Sequence, residues 1–479
     1  MVKFMTSLKL SKTTVKKSLS AHRNVALATA GLLYLTCLTG ALTVFFEEFQ
    51  RWEQPNIEEY TDYTPAQIDT AIEEFQQRVS STPETLWVVL PTEAVPRMHI
   101  SGDGQEWFIN KDGSLSAPPL EVWTTMLTKL HVQLHLPENI GLILVGILGV
   151  LLFSLILSGL LSHPNIFKDA FRWRRGRQVL TQVDLHNRLS IWALPFYLMI
   201  SFTGAFIGLL GLYSFFISAA FYDNDTEALL RDVYGGDPEI SKVSGVINID
   251  AALQNLTSIA PQADPIYLAI QNINTDKQYL EIAAKLPQRL IYSEIYRFNA
   301  DGSFINHQQF SDGAVGQQIA YSVYRLHFGH YARQWVKIIY GILGLALSVI
   351  CASGINIWLA RRKHESLLND LWVATVWGLP LSLAISALLS FYSWAPLWVF
   401  LGAELLVVVF ALLMKQALKT RWLLRACLAA TLLLIVVRQE AVYLNETVTP
   451  MFHQVNLTLL VVSLILIMML FQQRDQCRA

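Results

Sequence analysis

Two hairpins in this chain are copies of each other, and that repeat restricts its fold more than any other feature of the 479 residues. His22 is followed eighteen residues later by the glycine of Thr39-Gly40-Ala41, and His186 eighteen residues later by that of Thr203-Gly204-Ala205. Gly146-Ile147-Leu148-Gly149 with Ser158-Gly159 recurs as Gly341-Ile342-Leu343-Gly344 with Ser353-Gly354. A basic-Leu-His triplet precedes each of these, Lys129-Leu130-His131 and Arg325-Leu326-His327. Four apolar helices thus carry four histidines at equivalent places, two toward each face. That pattern suits two metal centres stacked across a bilayer.

Hydrophobic residues make up 53% of the chain and charged ones only 15%, which points to a membrane protein with soluble portions. The net charge of −1 excludes the bulk basic character of a nucleic-acid binder. Cys37, Cys351, Cys427 and Cys477 are scattered, with no zinc or redox spacing and no C-x-x-C-H for covalent haem attachment. The apolar run from Val25 to Phe46 is too long for a signal-peptide core, so it reads as a span and not a cleaved leader.

A spanning helix needs about 20 apolar residues. Eight runs qualify: 25–46, 139–161, 189–217, 337–360, 371–392, 396–414, 421–440 and 454–472. Lys and Arg concentrate in the tail 1–24, in the loop 162–188 with its Arg172–Arg177 run, at Arg361-Arg362-Lys363, and at Lys415 and Lys419. The positive-inside rule puts these segments, and the tail 473–479, in the cytoplasm, and the segments 47–136 and 218–330 outside. The last four spans, 371–472, form an additional membrane region.

Both external segments read as one helix plus a small antiparallel sheet. In the first, Thr64 to Val79 is the helix, the strands are Leu86–Leu90, Arg97–Ile100 and Glu106–Ile109, and Asp112-Gly113 is a turn. In the second, Ile249–Ile259 is the helix, the strands are Pro265–Gln271, Gln278–Ala284 and Ile291–Phe298, and Asp301-Gly302 is the turn. Neither segment offers a nucleophile–base pair or a metal cluster, so binding or packing modules are the plainer reading. The fold class expected is a mainly α, polytopic bundle of about eight spans with two small external α+β domains.

Eighteen residues of helix cover about 27 Å, close to the hydrocarbon thickness of about 30 Å. His22 and His186 are therefore expected near the cytoplasmic edge. His131 and His327, beginning the descending helices, are expected near the outer one. Two imidazoles from facing helices fill both axial positions of a b-type haem. The alternative is interfacial histidines bonded to head groups or backbone, copied inertly by gene duplication. His135, His330 and His163 compete as ligands; His163 also fits a helix cap before Pro164. His364, His99, His307 and His453 read as surface or interface residues. Glu404, inside span six, is a functional candidate or a hydrogen-bonded packing residue.

The order helix, α+β domain, helix, repeated once, is joined by several distinctive motifs. They are Leu-His-x-x-Leu-His-Leu-Pro (130–137), Ser-Gly-Leu-Leu-Ser-His-Pro-Asn-Ile-Phe-Lys-Asp (158–169), Asp-Leu-His-Asn (184–187) and Leu-His-Phe-Gly (326–329). Over about residues 18–364 the chain resembles the PepSY-associated transmembrane helix family of bacterial inner-membrane proteins. Members include ferric-siderophore reductases carrying b-type haem. The resemblance implies ligand roles for His22, His131, His186 and His327, with His135 and His163 as further motif positions, and makes the external segments PepSY-like. In one departure, Tyr197 follows Pro195-Phe196 where family members often have His.

The leading expectation is an inner-membrane haem protein with two haems b, both termini cytoplasmic, that passes electrons outward. Its substrate would be a ferric siderophore or Fe(III), and Fe(II) suits hard oxygen ligands less well. No Gly-x-Gly-x-x-Gly loop is present. The electron donor is then another redox protein or a quinol, and the remaining partner is membrane lipid. Two alternatives stay open: a non-enzymatic PepSY binding or regulatory protein, and a transporter built on the repeat and Glu404.

Overall fold

The computed structural model describes residues 10–120, 122–171, 178–240, 245–331 and 333–476. The arginines of 172–177 and Cys477, used above for orientation and cysteine chemistry, and the first nine residues of the tail 1–24 lie outside them. The chain forms two compact units. One comprises Met1–Trp52, Glu121–Leu209 and Lys337–Ala479; the other comprises Glu53–Leu120 and Leu210–Val336.

The membrane unit opens with α1 (Lys12–Thr43) and the short α2 (Phe46–Glu53). α1 starts well before the expected boundary at 25, because Ser11 caps it by accepting from the Thr14 amide. In the sheet-bearing unit follow α3 (Pro65–Arg78), β1 (Thr85–Val89), β2 (Met98–Gly102) and β3 (Gln105–Ile109). The membrane unit resumes with α4 (Val122–Gln133), α5 (Glu138–Ser162), α6 (Ile166–Asp169), α7 (Gln178–Trp192) and α8 (Leu194–Gly208). The expected third span is not one rod. α7 and α8 meet at a 72° bend around Ala193, where Pro195 cannot donate to a continuing helix.

The sheet-bearing unit continues with α9 (Leu210–Phe221), α10 (Thr226–Tyr234), α11 (Ile249–Ile259), β4 (Asp264–Gln271), β5 (Tyr279–Lys285), β6 (Glu294–Asn299), β7 (Phe304–His307) and α12 (Val315–Phe328). Then come α13 (Arg333–Ala360), α14 (Leu367–Val373), a π-helical turn (Ala374–Gly378), α15 (Leu379–Ser390), α16 (Pro396–Met414), α17 (Ala417–Val442) and α18 (Pro450–Gln476). Among the described residues seven helices are long and apolar enough to cross a membrane, or eight if the bent α7–α8 pair is one span. The protein is a multi-pass membrane protein.

Small residues decide how the repeats join. Gly149 meets the backbone of Ala205, and Gly146 meets that of Gly208; an added Cβ would fall under 3.0 Å from its neighbour in each case. In the other copy Gly344 meets Ala41 and Gly341 meets Phe45, again with no room for a Cβ. The glycine motif of each hairpin therefore packs on the Thr-Gly-Ala helix of the other hairpin, the close approach that small residues allow in lipid. The last four spans are not a separate bundle. They share one core with α1 and α4, where Tyr34, Leu38, Trp123 and Leu127 pack with Leu381, Leu383 and Phe452. Trp123 Nε1 donates to Ser386 Oγ at 3.1 Å, and Tyr34 donates to the Val376 carbonyl in the π-helical turn at 2.8 Å.

In the sheet-bearing unit the two expected α+β halves are joined. One seven-stranded antiparallel sheet runs β3-β2-β1-β4-β5-β6-β7. β1 pairs with β4, Trp87 opposite Ala269, so each half covers the strand edge the other would leave exposed. The halves keep identical turns: Gly113 and Gly302 both hold φ above +80°, and Asp112 and Asp301 each accept from the amide two residues on. β7 is the strand the sequence reading lacked; its four residues are mostly exposed and carry no buried alternation. Thr64 caps α3 in a capping box with Gln67, and α3 and α11 contribute Ile68, Phe75, Ile249 and Leu256 to the core on one sheet face.

Candidate functional site

His22 on α1 and His186 on α7 meet across a cavity of about 500 Å³ inside the membrane unit. Their ring centres are 6.4 Å apart and their planes stand at 82°. Each ring is held the same way. Nδ1–H of His22 donates to the Leu155 carbonyl (3.0 Å) and to Ser158 Oγ (3.3 Å) on α5, and the Ser158 hydroxyl donates to that same carbonyl (3.1 Å). Nδ1–H of His186 donates to the Ile350 carbonyl (3.1 Å) and to Ser353 Oγ (3.0 Å) on α13, with Ser353 closing the same triangle (2.9 Å). A carbonyl only accepts, so both rings carry the proton on Nδ1. That leaves the Nε2 lone pair of each as the donor available to a metal.

Gly159 and Gly354 give each ring its place. A Cβ at either would sit 3.3–3.4 Å from the Cε1 of the neighbouring imidazole. The Ser-Gly pairs noted in the repeat are thus the seats of the two histidines. The sequence displays them as a recurring motif without their role, because the carbonyl that completes each seat has no side-chain signature.

His163, which ends α5, and the Tyr197 side chain line the same cavity. Tyr197 is buried, and its hydroxyl has no hydrogen-bond partner among the described residues. The Cys37 and Cys351 thiols, distant in sequence, lie beside each other.

His131 is placed differently from the expectation. It does not begin the descending span; it lies in the last turn of α4, and Leu134 and His135, both at positive φ, separate that helix from α5. Its Nδ1 bonds the Thr36 carbonyl at 3.0 Å, and its Cε1 faces Gly40, where a Cβ would come within 2.6 Å. His131 therefore stands at the level of residues 36–40 of α1, about 21–27 Å along that helix from His22. His135 spends Nε2 on the Met126 carbonyl at 2.8 Å.

His327 likewise ends a helix, α12, which Gly329 closes in the left-handed conformation. It belongs to the sheet-bearing unit, where its ring meets Phe328 edge-on at 5.8 Å. His330 follows in the same turn, its carbonyl accepting from Arg325 Nε at 2.9 Å. Glu404 accepts from Ser382 Oγ at 3.0 Å beside the π-helical turn. His99, read as a surface or interface residue, is half-buried on β2, with Nε2 3.3 Å from Glu106.

The spacing of the two rings at the inner cavity is one that a pair of imidazoles sharing a single metal between them would need. Imidazole–metal bonds are about 2 Å long and the ring centre lies roughly 1 Å behind the nitrogen, so two axial imidazoles hold their centres about 6 Å apart. The observed 6.4 Å matches that requirement, and both Nδ1 atoms carry the outer hydrogen bond that orients a ligating histidine.

A Pseudomonas aeruginosa protein described as uncharacterized is 29% identical over 251 residues, covering 50% of this chain and 63% of its own length. The chain thus aligns with a little under two thirds of that curated relative. The family model described as the PepSY-associated TM region matches residues 19–361, a stretch that contains both histidine seats and both halves of the sheet. On that match, the chain belongs to the PepSY-associated transmembrane family.

Proposed function

We propose that this protein is a transmembrane electron carrier of the bacterial inner membrane that uses b-type haem to reduce a ferric substrate outside the cytoplasm. The observation that carries the reading is the His22–His186 pair, 6.4 Å between ring centres, both rings proton-bearing on Nδ1 and both lining one cavity. His22 and His186 would hold the inner haem, which when bound supplies reversible one-electron chemistry at iron. Leu155, Ser158, Ile350 and Ser353 fix the tautomer and rotation of the two rings. Leucines, isoleucines and Tyr197 make up most of the surrounding wall.

For the outer site the support is His131, anchored by Thr36 on the same helix that carries His22. His327 is its equivalent in the sequence repeat. The packed path between the levels is short in bonds. Cys351 follows Ile350, which seats His186; Cys37 follows Thr36, which seats His131; and the two thiols touch. The ferric siderophore or Fe(III) substrate, the quinol or redox-protein donor, and cytoplasmic termini remain parts of this proposal.

The test is the visible spectrum of the protein purified in detergent after expression with ample haem. A reducible bis-imidazole haem that His22→Ala and His186→Ala both diminish is the expected result. A colourless wild-type protein overturns the reading.

A further inference from the structure

The sheet-bearing unit holds a second cavity, of about 390 Å³, on the sheet face opposite α3 and α11. Strand alternation builds its floor. Leu280, Ile282 and Ala284 of β5 enter the core under the helices, so Tyr279 and Glu281 turn to the other side. Arg297 on β6 lies directly across from Glu281, and Gln271 on β4 lies across from Tyr279. Six aromatic rings, those of Tyr234, Tyr267, Tyr279, Tyr292, Phe310 and Tyr321, line the space. Tyr321 is fixed by stacking on Phe310 at 3.8 Å and by an edge contact with Tyr234 at 5.5 Å.

The charges in the cavity are unequal. Arg297 Nε donates to Glu281 Oε1 at 2.8 Å and Nη1 donates to the Gly236 carbonyl at 2.7 Å, while Glu281 Oε2 accepts from Gln271 Nε2 at 3.1 Å. Their side chains are only 8% and 13% exposed, so this ion pair is spent on itself. Among the described residues lining the cavity, Asp237 carries the remaining charge. It is exposed, accepts the Tyr279 hydroxyl at 3.2 Å, and forms no salt bridge among the described residues. A carboxylate without a salt bridge among the described residues, beside several tyrosine rings, is the chemistry that attracts an organic cation, through charge and through the ring quadrupoles. It disfavours an anion, because the guanidinium is already neutralised.

We propose that this cavity is a binding site for an alkylammonium group, carried either by a small free amine or by a lysine side chain of a peptide. The volume lies within the range of small-ligand sites. The proposal is independent of the haem reading: none of its residues belongs to the membrane unit, and its test needs no cofactor.

The experiment is calorimetric titration of the full chain in non-ionic detergent with choline, with N-acetyl-lysine amide, and with 3,3-dimethylbutanol as the uncharged isostere of choline. At least one cation should bind saturably, and the neutral isostere about tenfold or more weakly, which is the worth of one charge contact. Asp237→Asn should weaken cation binding by about the same factor, and Tyr321→Leu should weaken it without restoring affinity for the isostere. Binding of choline alone assigns the source to free amines; binding of the lysine amide alone assigns it to peptides. Absence of saturable binding by either cation overturns the proposal. So does equal binding of the isostere, or an Asp237→Asn variant of unchanged affinity whose thermal unfolding matches wild type.

Discussion

The imidazoles of His22 and His186 stand edge to face, 6.4 Å between centres, although 163 residues separate them in the chain. Each is seated by the second helix of its own hairpin. The hairpins are locked to each other by glycines that admit no Cβ, so the spacing of the two rings is set by backbone contact and not by flexible side chains.

If these rings bind haem, their hydrogen-bonded seats matter almost as much as the rings. Ser158→Ala and Ser353→Ala each remove one partner of an Nδ1 proton while leaving the carbonyl. Each should weaken haem retention by about tenfold, at the lower end of outer-shell effects on metal sites. Haem content per chain after competition with apomyoglobin measures this; wild-type retention in both variants would count against the seats.

Gly40→Leu should act on His131 alone. Even a Cβ at that position would lie 2.6 Å from the ring, so the imidazole must turn away from Thr36. Overpacking costs about 1–3 kcal/mol. The expected result is loss of any signal from an outer haem with the inner one unchanged, read by low-temperature spectra. Gly31→Leu, in open space on the same helix, is the control.

Lys337 is held between Glu47 and Glu48, with all three side chains at or under 15% exposed. Lys337→Met leaves two buried carboxylates without their cation and should destabilise the membrane unit by about 3–5 kcal/mol. Thermal unfolding in detergent reports it. Replacing both carboxylates by glutamine in the same variant should recover most of the loss, whereas a purely steric role for the lysine would show no recovery.

His99 gives the sheet-bearing unit an acid-sensitive point. Burial pushes its imidazole down from 6.5 to about 4. The unfolded chain therefore takes up a proton near pH 6.5 that the folded state refuses until about pH 4. Stability from this residue is complete above pH 6.5 and is lost as pH falls toward 4. His99→Gln should flatten the fall of the sheet's unfolding temperature between those values, and an NMR titration midpoint near 6.5 for His99 would refute the shift.

Much of the architecture was written locally. The apolar runs, the Thr64-Pro65 start of α3, the bounds of α11 and both Asp-Gly turns are each set by residues within a turn or two of one another. The sequence repeat likewise paired His22 with His186 and His131 with His327. Pro195 was visible too, but its consequence was not: whether a proline tilts or breaks a span depends on what packs at the bend.

The sequence by itself determined a duplicated membrane chain with histidines at repeating places, because hydropathy and motif spacing are carried by neighbouring residues. Only the tertiary structure decided that the two α+β halves share one sheet and that each glycine motif packs on the opposite hairpin. It also decided that His131 is anchored by Thr36 and that Cys37 meets Cys351. Those outcomes depend on edge pairing and backbone approach between segments tens to hundreds of residues apart, and no local pattern encodes which surface a helix will find.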